Sequence, residues 1–156
     1  MKRFEIFLAI AALPLLFAFC ASTQPAAINS SVSFPDLTES NYKQIDTTKQ
    51  VVGIYLYNTK LGADHIALGD STANAFREIL EPKVKFYKIN VSTFSGAAQK
   101  ELVQSYLGEP TLPSYLFIHN NKVLAKKLGG YSKKEDAIKG AEEIQRGLDA
   151  TVWRRK

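Results

Sequence analysis

Two adjacent polar residues, Asp64 and His65, and one further histidine, His119, carry the side chains in this sequence best suited to chemistry. A carboxylate beside an imidazole can transfer protons or hold a metal ion. Neighbouring residues of a helix point about 100° apart, however, so adjacency alone does not make Asp64 and His65 a catalytic pair. A metal site would also need further ligands, and His119 is the only other histidine. We therefore predict an exposed polar pair beside a helix, with no catalytic residue, no metal and no cofactor.

The single cysteine, Cys20, ends an apolar stretch that runs from residue 6 to residue 19. Lys2 and Arg3 precede this stretch, which is short for a bilayer span, and small polar residues follow it. Residues 1–20 therefore indicate a signal peptide for export, with an uncleaved membrane anchor as the alternative. Cys20 resembles the lipid-modified cysteine of bacterial lipoproteins, although Phe19 is larger than the residue usually found before it. Ordinary signal peptidase cleavage after Cys20 stays open, so we predict a chain that is periplasmic or anchored to the membrane through Cys20.

The charge of the chain does not indicate a nucleic-acid partner. The formal net charge is +5 and the isoelectric point is near 9.3, but lysines and arginines are scattered among acidic residues along the sequence. Such a distribution is typical of a solvated surface. The sequence also has no glycine-rich phosphate loop, no zinc-type spacing of cysteine and histidine, and no internal repeat.

Three segments follow the predicted signal peptide. Residues 21–35 are rich in serine, alanine, threonine, glutamine and proline, which predicts a flexible tether because little apolar surface is available for burial. Residues 36–150 have the apolar patterning of one folded domain. Residues 151–156 form a short basic tail with one tryptophan, which we expect to be unstructured.

Strands and helices alternate within the predicted domain. Residues 51–57 are a continuous apolar run, typical of a strand covered on both faces, and residues 84–91 form a second strand. Between them, Ser71 and Thr72 are predicted to cap a helix over 73–80. Ser95 should cap the next helix, which ends near Gly108, and Ser132 a last helix that extends through Leu148.

A proline opens the segment around which these elements are arranged. Pro113 precedes a stretch of aromatic and β-branched residues, and Asn120 and Asn121 can adopt the positive φ angles of a tight hairpin turn. Gly129 and Gly130 interrupt the returning strand. The order of elements predicts an α/β fold whose central mixed β-sheet is flanked by helices on both faces.

This arrangement resembles the thioredoxin fold. The residues that carry the resemblance lie at 51–57, 84–90, 111–117 and 129–132, and the resemblance spans about residues 37–148. In redox-active members of that family, the first of these strands leads into a C-x-x-C motif at the start of a helix.

The chain departs from the family at that motif. The four positions correspond to Leu61, Gly62, Ala63 and Asp64, none of which has a sulfur atom. Disulfide exchange proceeds by attack of a thiolate on sulfur, so the resemblance implies the fold without its chemistry. We therefore predict that the domain is not an enzyme.

The resemblance also implies a binding site. Related domains hold the proline equivalent to Pro113 in the cis form, which leaves the backbone of the preceding residue, here Leu112, free to pair with an extended peptide. The alternative is that the cis bond only serves the turn. The predicted peptide-binding groove comprises Leu61, Gly62, Ala63, Asp64, Leu112 and Pro113.

The resulting functional hypothesis is an exported thioredoxin-like domain without redox cysteines that binds or scaffolds a protein or extended peptide partner in the cell envelope. Two enzymatic alternatives stay open. The domain would be part of a thiol-disulfide oxidoreductase system whose activity lies in a partner, or would have a non-thiol site near Asp64 and His65. A purely structural envelope protein is the third alternative.

Overall fold

The computed structural model of the protein describes residues 30–153. The predicted signal peptide, Cys20, the first part of the predicted tether and residues 154–156 lie outside the described residues. The described elements are β1 (Val51–Tyr57), α1 (Ala63–Leu80), β2 (Val84–Asn90), α2 (Gly96–Leu102), β3 (Ser114–His119), β4 (Lys122–Leu128) and α3 (Lys134–Leu148).

The strands form one mixed sheet in the order β2-β1-β3-β4. β1 runs parallel to β2 and antiparallel to β3, and β3 and β4 form an antiparallel hairpin. α1 and α3 cover one face and α2 covers the other, so the predicted α/β fold with helices on both faces is confirmed.

β1 is the centre of the sheet because every one of its residues is buried. Successive side chains of a strand point to opposite faces. Tyr55 and Tyr57 therefore pack into the cluster under α1 and α3, whereas Ile54 and Leu56 pack into the cluster under α2. The continuous apolar run thus serves two separate cores.

The hairpin turn lies where the sequence predicted it. Asn120 and Asn121 both have positive φ, 49° and 57°. Thr47 fixes the turn from outside, because its carbonyl accepts from the Asn120 N–H at 2.9 Å and its Oγ1 accepts from the Asn121 N–H at 2.9 Å. His119 ends β3 beside this turn and is half-buried, as expected for a residue at the end of a strand.

Two helix starts differ from the prediction. α1 begins at Ala63, ten residues before the predicted start at 73. The sequence did not reveal its first half because two of the buried positions there are Gly69 and Asp70, which interrupt the apolar period of the helix. α3 begins after Lys133, with no side-chain cap, so the predicted cap at Ser132 is wrong. The Ser95 cap of α2 is confirmed by its Oγ, which accepts from the Ala98 N–H at 3.3 Å.

The predicted tether is wrong from residue 30 onward, because residues 30–37 pack against the domain. We call these residues the strap. Val32 and Phe34 are only 2% and 5% exposed and lie in the core under α1. The backbone of Pro35 and Leu37 pairs with that of Lys88 along the outer edge of β2, the strand at one end of the sheet. Residues 30–35 therefore belong to the folded part of the chain, which was predicted to begin at residue 36.

The predicted tail also differs in its described part. α3 continues as a wider helical turn over Asp149–Trp153, and Trp153 packs against the core with the Lys83 ammonium 4.6 Å from its ring centre. Within residues 30–153 no helix combines the length and the apolar character needed to cross a bilayer.

Candidate functional site

A groove of about 530 Å³ opens where β1 ends and where the loop before β3 begins. Leu61, His65 and Leu112 lie on its walls, so the structure brings together residues 47 to 51 positions apart in the sequence. Its full lining is Leu56, Asn58, Leu61, His65, Val91, Gln99, Leu102, Val103, Leu107, Pro110, Thr111 and Leu112.

One wall is the connection between β1 and α1. After β1, the Asn58 side chain accepts from the Lys60 N–H at 2.8 Å and shapes a single tight turn over Thr59–Leu61. Gly62 follows with φ of 93°, a conformation that favours glycine, and lets the chain enter α1 directly. Leu61 is left 45% exposed, and it is the one large apolar residue of 30–153 that is exposed.

The facing wall is the loop between α2 and β3. α2 continues as a wider turn through Val103–Leu107, and Gly108 ends it with φ of 85°. The Leu112–Pro113 peptide bond is cis. The loop is held by Ser114 Oγ, which donates to the Thr111 carbonyl, and by the Pro113 carbonyl, which accepts from the Gly129 N–H at 2.8 Å.

Leu112 itself has an unpaired backbone. Within residues 30–153, neither its N–H nor its carbonyl takes part in a hydrogen bond. Leu112 is one of the residues that line the groove, next to its apolar walls. A backbone donor and acceptor next to each other on one residue are what an added strand needs for pairing.

The polar residues predicted as candidates for chemistry do not form a pair at the groove. His65 lines the groove, whereas Asp64, although exposed, does not. Among residues 30–153 there is also no group of three or more histidine, cysteine, aspartate or glutamate side chains placed to hold a metal ion. Gly62, Ala63 and Pro113, which were also predicted for the groove, do not line it either.

A hydroxyl cluster supports the groove from below. Thr59 Oγ1 and Ser92 Oγ are 2.7 Å apart, and the Asn90 carboxamide oxygen accepts from the Ser92 hydroxyl at 2.7 Å. These groups fix the end of β2 to the turn that carries Leu61.

Sequence analysis missed the wall formed by α2. Leu102, Val103 and Leu107 contribute apolar side chains to the groove. The sequence did carry a signal for this wall, namely the adjacent apolar residues Leu102 and Val103. A helix that packs on a sheet with one face needs only one stripe of apolar residues. Neighbouring residues of a helix point in different directions, so this pair indicates a second apolar face.

Sequence analysis also missed a buried polar cluster behind α1. Asp70 is 6% exposed and accepts a hydrogen bond from the Tyr55 hydroxyl at 3.1 Å. Tyr115 stacks on Tyr55 with ring centres 5.3 Å apart and donates to the Gly69 carbonyl at 2.8 Å. Burial raises the pKa of both tyrosines far above the usual range, so their hydroxyls stay protonated donors.

The amino-acid sequence matches none of the protein families and none of the curated proteins with which it was compared. Solved structures do match. Mitochondrial thioredoxin 3 from Saccharomyces cerevisiae is 18% identical with a TM-score of 0.52, over 71% of this chain and 95% of that one. Thioredoxin f2 from Chlamydomonas reinhardtii is 16% identical with a TM-score of 0.51, over 72% of this chain and 96% of that one. The chain therefore has a thioredoxin-like α/β fold, and its only cysteine, Cys20, lies outside residues 30–153.

Proposed function

We propose that this thioredoxin-like domain binds an extended apolar segment of a protein partner in the cell envelope and performs no disulfide exchange. The observation that carries the proposal is the groove, which joins an exposed apolar residue, Leu61, to the unpaired backbone of Leu112. A concave, mainly apolar pocket with a few polar groups is typical of a binding site, and Leu61 extends the apolar lining of this one to the surface.

The character of the lining supports an apolar ligand. No lysine, arginine, aspartate or glutamate contributes to it, and His65 is its one titratable side chain. Most of the remaining lining is leucine and valine. A charged ligand would lose hydration there without gaining a partner, whereas an apolar side chain gains about 25 cal/mol for each Å² removed from water.

The backbone of Leu112 supports an extended ligand. A strand that pairs with its N–H and carbonyl would place alternate side chains on the same face, so every second residue would enter the groove. Each new backbone hydrogen bond contributes about 0.5–1.5 kcal/mol net. Sequence preference would then come from the apolar walls and not from the backbone pairing.

The redox alternative is tested by disulfide reduction. Exchange needs a thiolate, and residues 30–153 contain no cysteine. Purified protein that starts at Ala21 should therefore fail to reduce the disulfides of insulin in the presence of dithiothreitol, beyond the rate with dithiothreitol alone. Catalysed turnover would overturn the binding proposal in favour of an oxidoreductase.

Peptide binding is tested with a fluorescently labelled, cysteine-free heptapeptide of alternating leucine and threonine, capped at both ends. We expect saturable binding by fluorescence anisotropy, and no binding of a control in which serine replaces each leucine. N-methylation of alternate amides removes donors without changing the side chains. It should weaken binding by about 2- to 12-fold for each hydrogen bond lost. Equal affinity for all three peptides would contradict a strand-like mode.

The location in the envelope is proposed from residues 1–20. A basic start and an apolar stretch support export, and Cys20 supports a lipid anchor. Mass spectrometry of the mature chain from cells decides between the two forms. An acylated Cys20 at the N-terminus is expected for a lipoprotein, a first residue of Ala21 for a periplasmic protein, and an intact Met1 would contradict export with cleavage.

A further inference from the structure

The first half of α1 is attached to the domain differently from the second half. In the second half, Ala73, Phe76 and Leu80 are buried in the core, as is usual for a helix packed on a sheet. In the first half, Ile66 is the one large apolar residue that is buried, and the other sheet-facing positions include Gly69 and Asp70. Leu68 adds a half-buried side chain beside Gly130. The half of α1 that carries His65 and borders the groove therefore buries fewer large apolar side chains than the second half does.

Hydrogen bonds replace that apolar contact. Tyr115 reaches the Gly69 carbonyl and Tyr55 reaches Asp70 from the sheet. The remaining donors to Asp70 come from the strap. Ser30 Oγ donates to Asp70 Oδ1 at 2.6 Å, and the Ser31 N–H and Oγ donate to Asp70 Oδ2 at 2.6 and 2.7 Å. The strap thus supplies three of the four hydrogen bonds that this buried carboxylate accepts within residues 30–153.

The strap is itself fixed to the sheet. The Lys88 ammonium, on a residue only 8% exposed, donates to the Val32 carbonyl at 2.8 Å. The Lys88 N–H donates to the Pro35 carbonyl at 3.0 Å, and the Leu37 N–H donates to the Lys88 carbonyl at 2.8 Å. One end of the strap therefore holds α1 through Asp70, and the other end holds the edge of β2.

We propose that Asp70 is a positioning residue for the groove, through which the strap holds the first half of α1 against the sheet and so fixes the shape of the groove. This inference rests on the proposed function of the groove as a peptide site. A buried carboxylate that loses its donors is costly, so loosening the strap favours movement of α1 away from the sheet. Leu61 and His65 would move with it, because both lie at that end of α1.

The test compares two changes within the strap. The double variant Ser30→Ala/Ser31→Ala removes two hydroxyl donors to Asp70, and Ser31→Ala alone is a milder form at an exposed position. Ser33→Ala is the matched control, since the exposed Ser33 hydroxyl contacts Arg77 and not Asp70. Ser31→Thr keeps the hydroxyl and should behave like the wild type.

Amide hydrogen exchange is the first readout. In the double variant we expect exchange of residues 61–70 to rise by about tenfold or more, while residues 76–80 at the other end of α1 change little. The affinity of the leucine–threonine heptapeptide should fall by about threefold or more. The control and Ser31→Thr should leave both readouts as in the wild type.

Three results would overturn the inference: unchanged exchange in the double variant, a uniform rise along the whole of α1, or an equal rise in the control. The exchange pattern needs no ligand. If the wild-type protein fails to bind the heptapeptide, the proposed function fails, while the exchange comparison still decides whether the strap positions α1.

Discussion

Replacement of Leu61 by alanine should weaken ligand binding without weakening the fold. Leu61 is 45% exposed in the free protein, so a bound apolar segment could cover close to half of its surface. Full burial of a leucine side chain contributes about 1.5–3 kcal/mol, and half of that is about 1 kcal/mol. The predicted effect is a rise in Kd of about fivefold.

The same exposure limits the effect on stability. Surface substitutions usually change the free energy of unfolding by less than about 0.5 kcal/mol. Leu61→Ala should therefore leave urea denaturation almost unchanged while the affinity for the leucine–threonine heptapeptide falls. Lys60→Ala is the matched control, because Lys60 is exposed in the same turn and does not line the groove.

The assay is a titration of both variants by fluorescence anisotropy beside urea denaturation of both. An unchanged Kd for Leu61→Ala would refute the assignment of Leu61 to the ligand surface. An equal loss of affinity in Lys60→Ala would refute it as well, because the effect would then belong to the turn and not to the apolar side chain.

Three further predictions concern the fold. Phe34→Ala should lower the free energy of unfolding by about 3–5 kcal/mol in urea denaturation, because Phe34 is buried in the core although it lies in a segment with the composition of a tether. Gly147→Ala should raise the free energy of unfolding by about 0.5–1 kcal/mol, and with it the melting temperature, because the new methyl group meets open space. Gly140→Ala should lower the free energy of unfolding by about 1–3 kcal/mol, because the methyl group would overlap a tyrosine hydroxyl. The Ser95 N–H and hydroxyl hold the pKa of Glu39 below its usual value of 4.5, so the stability advantage of the wild type over Glu39→Gln should be full above that pH and shrink as the pH falls below it.

Each of these predictions has a direct contradiction. A Phe34→Ala protein as stable as Ser33→Ala would show that the strap is not part of the core. Equal effects of alanine at Gly140 and Gly147 would contradict the close approach at Gly140. A difference between wild type and Glu39→Gln that stays constant from pH 7 to pH 3 would exclude the depressed pKa of Glu39.

The sheet was predictable because its strands are encoded locally. Residues 51–57 are apolar without a break, as expected for a strand buried on both faces, and β1 is buried throughout. Asn120 and Asn121 suit positive φ, and both adopt it. Such signals depend on a few neighbouring residues and need no knowledge of distant contacts.

The strap and the first half of α1 could not be predicted for a common reason. Each buries residues that look polar or flexible on their own, and each supplies hydrogen-bond partners to the other. Ser30 and Ser31 are ordinary tether residues until the Asp70 carboxylate accepts from them, and Asp70 breaks the apolar period of α1. Pairs of this kind lie about 40 residues apart and leave no local pattern.

The residues that line the cavity were predictable in part. Leu61 and Leu112 were assigned to one site from the resemblance, and the structure places both on its walls. The resemblance gave no information on the wall that contains Leu102 and Leu107, because none of the segments that carry the resemblance lies in that part of the chain. Asp64 was included in the predicted groove by its position in the motif, yet it lies outside the lining.

The most direct test of a thiol-free peptide groove is a map of amide chemical shifts in the uniformly ¹⁵N-labelled protein during titration with the unlabelled leucine–threonine heptapeptide. The account predicts saturable shifts concentrated at Leu61, His65 and Leu112, with weaker shifts along the α2 wall near Val103. Absence of shifts at saturating peptide, or shifts confined to the open edge of β4, would contradict it.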